Sequence, residues 1–325
     1  MPRSLLFWLT PRRALGVCLT LVLVQIYYLL GDRQSFPVFD AAHIGEFYTP
    51  RRHVVEQITN LTNSYAPNAK GSVGIVLASI HSDDLTWLLD HCKETNRTPF
   101  VYTTDPHPEQ GLLVPPTMRG RETPAYLSYI VDHYDKLPEY SIFIHANSEQ
   151  WHNDLFGPFT RDALKSLRLE AVDALGYVNL RCEHDPGCPT GVFPLHPTEI
   201  DIAKKDIRAY FAQAYQQIFN VAHDQVPTEI GNVCCGQFAI SRERILARPK
   251  EDYQRILDWA ATTKQTDDFG VGWVMEKLWH IVFGMDAVYC PRYEQCRCDV
   301  YGWCGPLKSG ETLQAVTVQS KTKAL

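Results

Sequence analysis

The sequence predicts an α/β domain built on a mostly parallel sheet, and three neighbouring stretches carry that prediction. VGIVLASI (73–80) is an uninterrupted apolar run of strand length. The segment 81–92 that follows places Leu85, Leu88 and Leu89 at helical spacing, with Ser82 as the expected N-cap. TPFVYTTD (98–105) is a second strand, rich in β-branched and aromatic residues. Strand, helix and strand in that order form a βαβ unit, which implies parallel pairing and a right-handed crossover.

The alternation continues. Leu127, Ile130, Val131 and Tyr134 share one face of a helix that Leu137 and Pro138 end. YSIFIHA (140–146) is the third strand, 161–175 an amphipathic helix, and GYVNLRC (176–182) the fourth strand. A long helix is expected over 203–222, then a strand turning into a helix over 232–246. Two more helices are expected over 251–263 and 268–284, and a cysteine-rich loop from Cys290 to Cys304. Strands and helices alternating almost throughout define the α/β class.

The N-terminus sets the compartment. Arg3, Arg12 and Arg13 precede an uncharged apolar run, Ala14 to Leu30, at the short end of the ~17–25 residues that cross a hydrocarbon core. The run ends in Tyr27, Tyr28, Leu29 and Leu30, a poor site for signal cleavage, although a cleaved signal peptide is the alternative. The expected organisation is a cytosolic tail (1–13), a single-pass signal anchor (14–30), a stem (31–70), a lumenal α/β domain (71–305) and a C-terminal tail (306–325). The location is then a membrane of the secretory pathway, Golgi or endoplasmic reticulum. Asn60 and Asn96 head glycosylation sequons, Asn60-Leu61-Thr62 and Asn96-Arg97-Thr98. Beyond Cys18 the chain has nine cysteines, an odd number, so in an oxidising lumen at least one thiol stays unpaired within the chain. Cys182 and Cys188 straddle a turn and suggest a local bridge, whereas the adjacent Cys234 and Cys235 each call for a distant partner. Cys290, Cys296, Cys298 and Cys304 are expected to pair with one another or with Cys234 or Cys235, a zinc site being the alternative. The net charge of −6 and the lack of a basic stripe exclude a nucleic-acid partner as an expectation.

Ligands of open α/β sheets bind beyond the carboxyl ends of the strands. FIHANSEQWHND (143–154) sits there, with His145, Asn147, Trp151, His152, Asn153 and Asp154. Asp105 closes the second strand. Arg119 and Arg121 flank Gly120 before a helix, where guanidinium and free N–H groups suit a phosphate, and Glu122 either caps that helix or meets a ligand hydroxyl. Asp267 and Asp268 open the last long helix, either as N-caps or as a base. Glu276 and His280 stand four apart on one face of that helix, as a self-satisfied pair or as metal ligands. Gln237 is a candidate reader of hydroxyls. Trp151, Trp273 and Trp279 are core residues or a stacking platform.

GRETPAYLSYIVDHYDKLPEYSIFIHA, the WHND beyond it, GYVNLRC, CCGQFAISRERIL and VMEKLWHIVFG, followed by the closing cysteines around Tyr301-Gly302, resemble domain of unknown function 3431, an uncharacterised fungal family. The resemblance spans roughly Val73 to Cys304 and names no activity. At the level of architecture the anchor, stem and lumenal α/β domain are similar to Golgi glycosyltransferases of the single-Rossmann, GT-A type. That likeness implies transfer of a sugar from a nucleotide sugar to a hydroxyl acceptor. It also implies an Asp-x-Asp pair holding a divalent metal at a strand end, an acidic base at a helix start and a late histidine. Here the third strand ends in His145-Ala146-Asn147 and no Asp-x-Asp occurs. Asp267-Asp268 takes the place of the base, and His280 that of the late histidine. Two further expectations stand beside it. One is a transition-metal tailoring enzyme with His145, His152 and His280 as ligands. The other is a non-catalytic, disulfide-stapled binding or scaffold domain.

Overall fold

The computed structural model describes residues 41–67, 69–154 and 157–317. The expected anchor at 14–30 lies outside them, and no helix among the described residues is long and apolar enough to cross a membrane. In chain order the elements are α1 (Ala41–Asn63), β1 (Val73–Ser79), α2 (Thr86–Thr95), β2 (Thr98–Thr103), α3 (Thr123–His133) and β3 (Tyr140–Phe143). Next come α4 (Thr160–Ser166), α5 (Leu169–Leu175), β4 (Tyr177–Asn179), α6 (Glu199–Lys204), α7 (Phe211–Phe219), β5 (Gly231–Asn232) and β6 (Phe238–Ser241). The chain closes with α8 (Arg242–Leu246), α9 (Lys250–Thr262), α10 (Asp268–Val282), β7 (Val288–Tyr289) and α11 (Tyr293–Tyr301).

The main sheet has five strands in the order β2-β1-β3-β6-β4. β1 pairs parallel with β2 and β3, as the βαβ reading requires, with Gly74 opposite Thr98 and Val73 opposite Tyr140. β6 corrects the expectation of a mostly parallel sheet. It runs antiparallel to both β3 and β4, so the sheet is mixed and only partly parallel. Side-chain alternation splits the core into two layers. Val76, Phe143 and Phe238 meet α3, α7, α9 and α10 on one face, while Val73, Ile75, Leu77 and Ile142 meet α1, α2, α4, α5 and α11 on the other. Both faces are covered, which is why β1 reads as a continuous apolar run rather than an alternating one.

Several expected boundaries moved, each for a local reason. The helix expected over 81–92 starts at Thr86, because Asp83 accepts from the Ile80 N–H and Asp84 from the Thr86 N–H, holding the preceding residues in turns. Ser82 therefore caps nothing. The helix expected over 161–175 breaks at Leu167 and Arg168, where the Arg168 N–H and guanidinium are captured by the Val300 and Asp299 carbonyls. The helix expected over 203–222 starts earlier, at a Thr198/Asp201 capping box, and stops at Lys205 in a left-handed conformation. Residues 293–301, expected as loop, form α11. The compact unit also takes in residues on either side of the expected 71–305 domain. Val54, Val55 and Ile58 of α1 are buried, and the Val316 N–H donates to Asp299 Oδ1 at 2.7 Å.

The bridges are Cys182–Cys296, Cys188–Cys290, Cys234–Cys235 and Cys298–Cys304, and Cys92 is free and buried. Cys92 agrees with the odd count, and Cys298–Cys304 with pairing among the closing cysteines, but Cys290 and Cys296 pair with Cys188 and Cys182 instead of with one another or with Cys234 or Cys235. The local Cys182–Cys188 bridge is wrong: α11 packs on α5 beside the chain leaving β4, and brings Cys296 within a Cα distance of 5.6 Å of Cys182. The premise that Cys234 and Cys235 cannot bridge each other is also wrong. They are joined in the turn before β6, where Cys235 has φ +88°. Burial pushes the Cys92 thiol up to about 12, which keeps it protonated and inert.

Candidate functional site

A cleft of about 400 Å³ opens beyond the carboxyl ends of β1, β2 and β3. Ala78 and Ile80 follow β1, Thr104 follows β2, and His145, Ala146 and Asn147 follow β3. Met118, Arg121 and Glu122 come from the loop before α3, and Asp268 is the first residue of α10. Asp83 and Gln150 complete the wall. His145, Asn147, Arg121, Glu122 and Asp268 are thus gathered in one cavity from positions up to 147 residues apart in the chain.

The loop that presents Arg121 and Glu122 has an unusual backbone. Gly120 has φ +105°, and a β-carbon there would meet Val271 Cγ1 at 2.6 Å, so α10 can pack against it only if the residue is glycine. Arg121 follows at φ +56°. Asp268 fastens this loop, its Oδ1 accepting from the Gly120 N–H at 2.7 Å. Asp267 is the N-cap of α10, accepting from the Gly270 N–H at 2.9 Å. The two adjacent carboxylates therefore divide the roles the sequence left open: Asp267 caps the helix and Asp268 lines the cleft. Arg119 does not line the cleft. Its guanidinium donates to the Thr263 and Thr266 carbonyls and ties down the α9–α10 loop. The Arg121 guanidinium lies over the exposed Phe269 ring, 4.7 Å from its centroid, at the rim.

Gln237 is engaged within the fold as a clasp through its amide. It is 3% exposed. Its Oε1 accepts from the His145 N–H at 3.0 Å, so its Nε2 donates to His152 Nδ1 at 3.2 Å and Asn153 Oδ1 at 3.1 Å. Asn153 in turn donates to Thr160 Oγ1 and the Pro158 carbonyl. One amide thereby locks the exit of β3 to the 151–154 loop. Gln237→Leu leaves at least three buried polar groups unpaired and is expected to lower stability by about 2–4 kcal/mol, readable as a lower urea midpoint with unchanged slope.

His145 Nε2 donates to the Cys235 carbonyl at 2.8 Å, which leaves Nδ1 as the hydrogen-bond acceptor of the ring. His152 lies behind it, ring centroids 5.3 Å apart, and is buried. His280 is elsewhere, 0% exposed, with Nε2 donating to the Ala287 carbonyl at 3.0 Å. The trio His145, His152 and His280 is not brought together, and among the described residues no three His, Cys, Asp or Glu side chains are grouped to hold a metal ion. The donor set does not fit the divalent metal that the architecture implied. Asp105 organises its loop, accepting from the His81 N–H at 2.9 Å, and that bond together with the His107 N–H holds its carboxyl below the usual range. Trp151 is 70% exposed beside Arg181 and does not line the cleft. Glu276 pairs with Lys277 at 3.0 Å. Burial pushes the Glu122 carboxyl up, with His145 opposing and Glu276 adding to the rise.

Burial also lowers His91, His152 and His280 to about 4 each. The unfolded chain takes up protons on these rings from about pH 6.5 downward, whereas the native state does not until about pH 4. Their contribution to stability is therefore complete above pH 6.5 and is lost as the pH falls. The urea midpoint is expected to be lower at pH 5 than at pH 7, and the difference to shrink in His280→Gln.

Asp83, Ile80, Thr104, Met118 and Gln150 were not singled out from sequence. Asp83 could have been, since it stands in the turn directly after β1. Another cavity, of about 330 Å³, lies between β4 and α11 and is lined mainly by Leu175, Val178, Val233, Val288 and Val300.

The described unit is an α/β domain with a titratable cleft at its parallel strand ends. The chain belongs to the family described as protein of unknown function (DUF3431), which it matches over residues 75–299. No curated protein and no solved structure matches it.

Proposed function

We propose that this protein is a glycosyltransferase-like enzyme of the secretory pathway. It would be held by a single-pass anchor and transfer a sugar from a nucleotide sugar to a hydroxyl acceptor. The observation that carries this reading is that Asp268, the acidic residue at a helix start, lines the same cleft as His145 and Asn147, where the diphosphate-binding strand end of such enzymes lies. The acceptor hydroxyl oxygen attacks the anomeric carbon and Asp268 takes its proton. The diphosphate departs toward Arg121, whose guanidinium offers a planar fork to phosphate oxygens. No step is assigned to a metal.

The test is release of nucleoside diphosphate by the purified protein from a panel of common nucleotide sugars, with mono- and oligosaccharide acceptors. Saturable release from at least one donor supports the reading, and no release above the blank from any donor contradicts it. The location has its own check. Asn60 and Asn96 are both exposed. In cells, glycosidase treatment is expected to raise gel mobility, and the shift to disappear in Asn60→Gln/Asn96→Gln.

A further inference from the structure

We propose that Glu122 is the acid that protonates the departing diphosphate in this cleft, so that a neutral carboxyl, with Arg121, stands where a cation would otherwise be held. The inference rests on the transfer reading above and deepens it. Glu122 lines the cleft next to Arg121 and across from His145. Near it, two buried polar atoms have no hydrogen-bond partner: Tyr126 OH and Trp279 Nε1, on residues 0% and 1% exposed. Gly236 lies between Glu122 and Trp279. A β-carbon on it would lie 3.6 Å from Glu122 Oε1 and 3.7 Å from Trp279 Nε1. A fold rarely leaves neighbouring buried donors unmatched without a use for them.

Their use follows from the charge that develops. An ionised carboxylate beside a diphosphate would repel it, whereas a protonated one donates to it. The groups facing Glu122 are His145 from the end of β3, Glu276 and Asp268 from α10, Tyr126 from α3 and Arg121 beside it. Burial outweighs them and favours the proton-bearing form. As the acceptor oxygen bonds to the anomeric carbon, its proton passes to Asp268. The bond from that carbon to the phosphate oxygen breaks, its electron pair stays on the oxygen, and the Glu122 proton joins it. Glu122 is left ionised in the neighbourhood of the Tyr126 O–H and the Trp279 N–H. These fixed dipoles stabilise the new charge without reorganisation. Solvent then returns a proton to Glu122 and removes one from Asp268.

The experiment compares a nucleotide sugar with a 2,4-dinitrophenyl glycoside of the same sugar, whose leaving group needs no proton. Glu122→Gln is expected to lose about 10²–10³-fold in kcat on the nucleotide sugar and less than about threefold on the dinitrophenyl donor. Its thermal midpoint should match the wild type, because the amide is isosteric with the neutral carboxyl. Trp279→Phe is expected to move the alkaline limb of the pH–rate profile upward. Equal losses on both donors, or none on either, overturn the assignment. A second arm does not need turnover: binding of inorganic pyrophosphate, measured by calorimetry in buffers of different ionisation enthalpy. Proton uptake in the wild type that is missing in Glu122→Gln supports the role, and identical proton linkage in the two proteins overturns it. Failure of every nucleotide sugar would sink the transfer reading while leaving this arm to decide the carboxyl's role.

Discussion

Asp268→Asn is expected to lower transfer by about 10²–10⁴-fold, the range of a lost general base, while the protein stays folded. Asparagine keeps an oxygen to accept from the Gly120 N–H, the 2.7 Å contact that fastens the loop carrying Arg121 and Glu122. What it loses is only the capacity to take a proton. The neighbouring residue is the control. Asp267 caps α10 and accepts from the Gly270 N–H. Asp267→Ala is expected to cost about 0.5–2 kcal/mol of stability with kcat nearly unchanged. Paired rate and thermal-unfolding measurements on both variants separate the roles. If Asp267→Ala lost the rate and Asp268→Asn kept it, the division of labour described here would be reversed.

Removal of the Cys182–Cys296 bridge is expected to be the most destabilising single change at a covalent link. The bridge joins residues 114 apart in sequence, and closing a loop of that size restricts the unfolded chain by about 4–5 kcal/mol in the chain-entropy description. It also fastens α11 to the end of β4, where Tyr301 and Cys298 belong to the core. Cys182→Ala/Cys296→Ala is expected to lower the melting temperature by about 10 °C, on the scaling of a domain of this size. Cys188–Cys290 closes an overlapping loop of 102 residues, so the losses from removing both bridges should not add. A loss of under 1 kcal/mol for Cys182→Ala/Cys296→Ala would show that packing alone holds α11 in place.

Much of the fold was legible because it is governed by local periodicity. β1, β2, β3 and the helices α3, α9 and α10 all lie where the apolar spacing puts them. The reversed direction of β6 was not, since pairing direction depends on where a strand is carried in space and not on its composition. The breaks at Arg168 and Lys205 come from tertiary capture and a left-handed residue that helical spacing does not register. Cysteine pairing failed for the same reason: Cys182 and Cys188 are close in sequence, but α11 is closer in space. For the site, strand ends and helix starts pointed to His145, Asn147, Arg121, Glu122 and Asp268, which the fold places along one cleft. Residue type alone could not separate these from Arg119, Gln237, Asn153 and His152, whose polar atoms are consumed by the scaffold. That distinction lies in hydrogen bonds between segments more than 80 residues apart in the case of Gln237 with His145 and His152.

The most direct measurement is photo-crosslinking with an azido nucleoside diphosphate sugar, followed by peptide mapping with and without excess unlabelled nucleotide sugar. Competable label on the segments 118–122, 145–150 or 268–271 is the predicted result. Competable label confined to the cavity between β4 and α11, or none that is competed, would contradict a nucleotide-sugar site at the carboxyl ends of β1, β2 and β3.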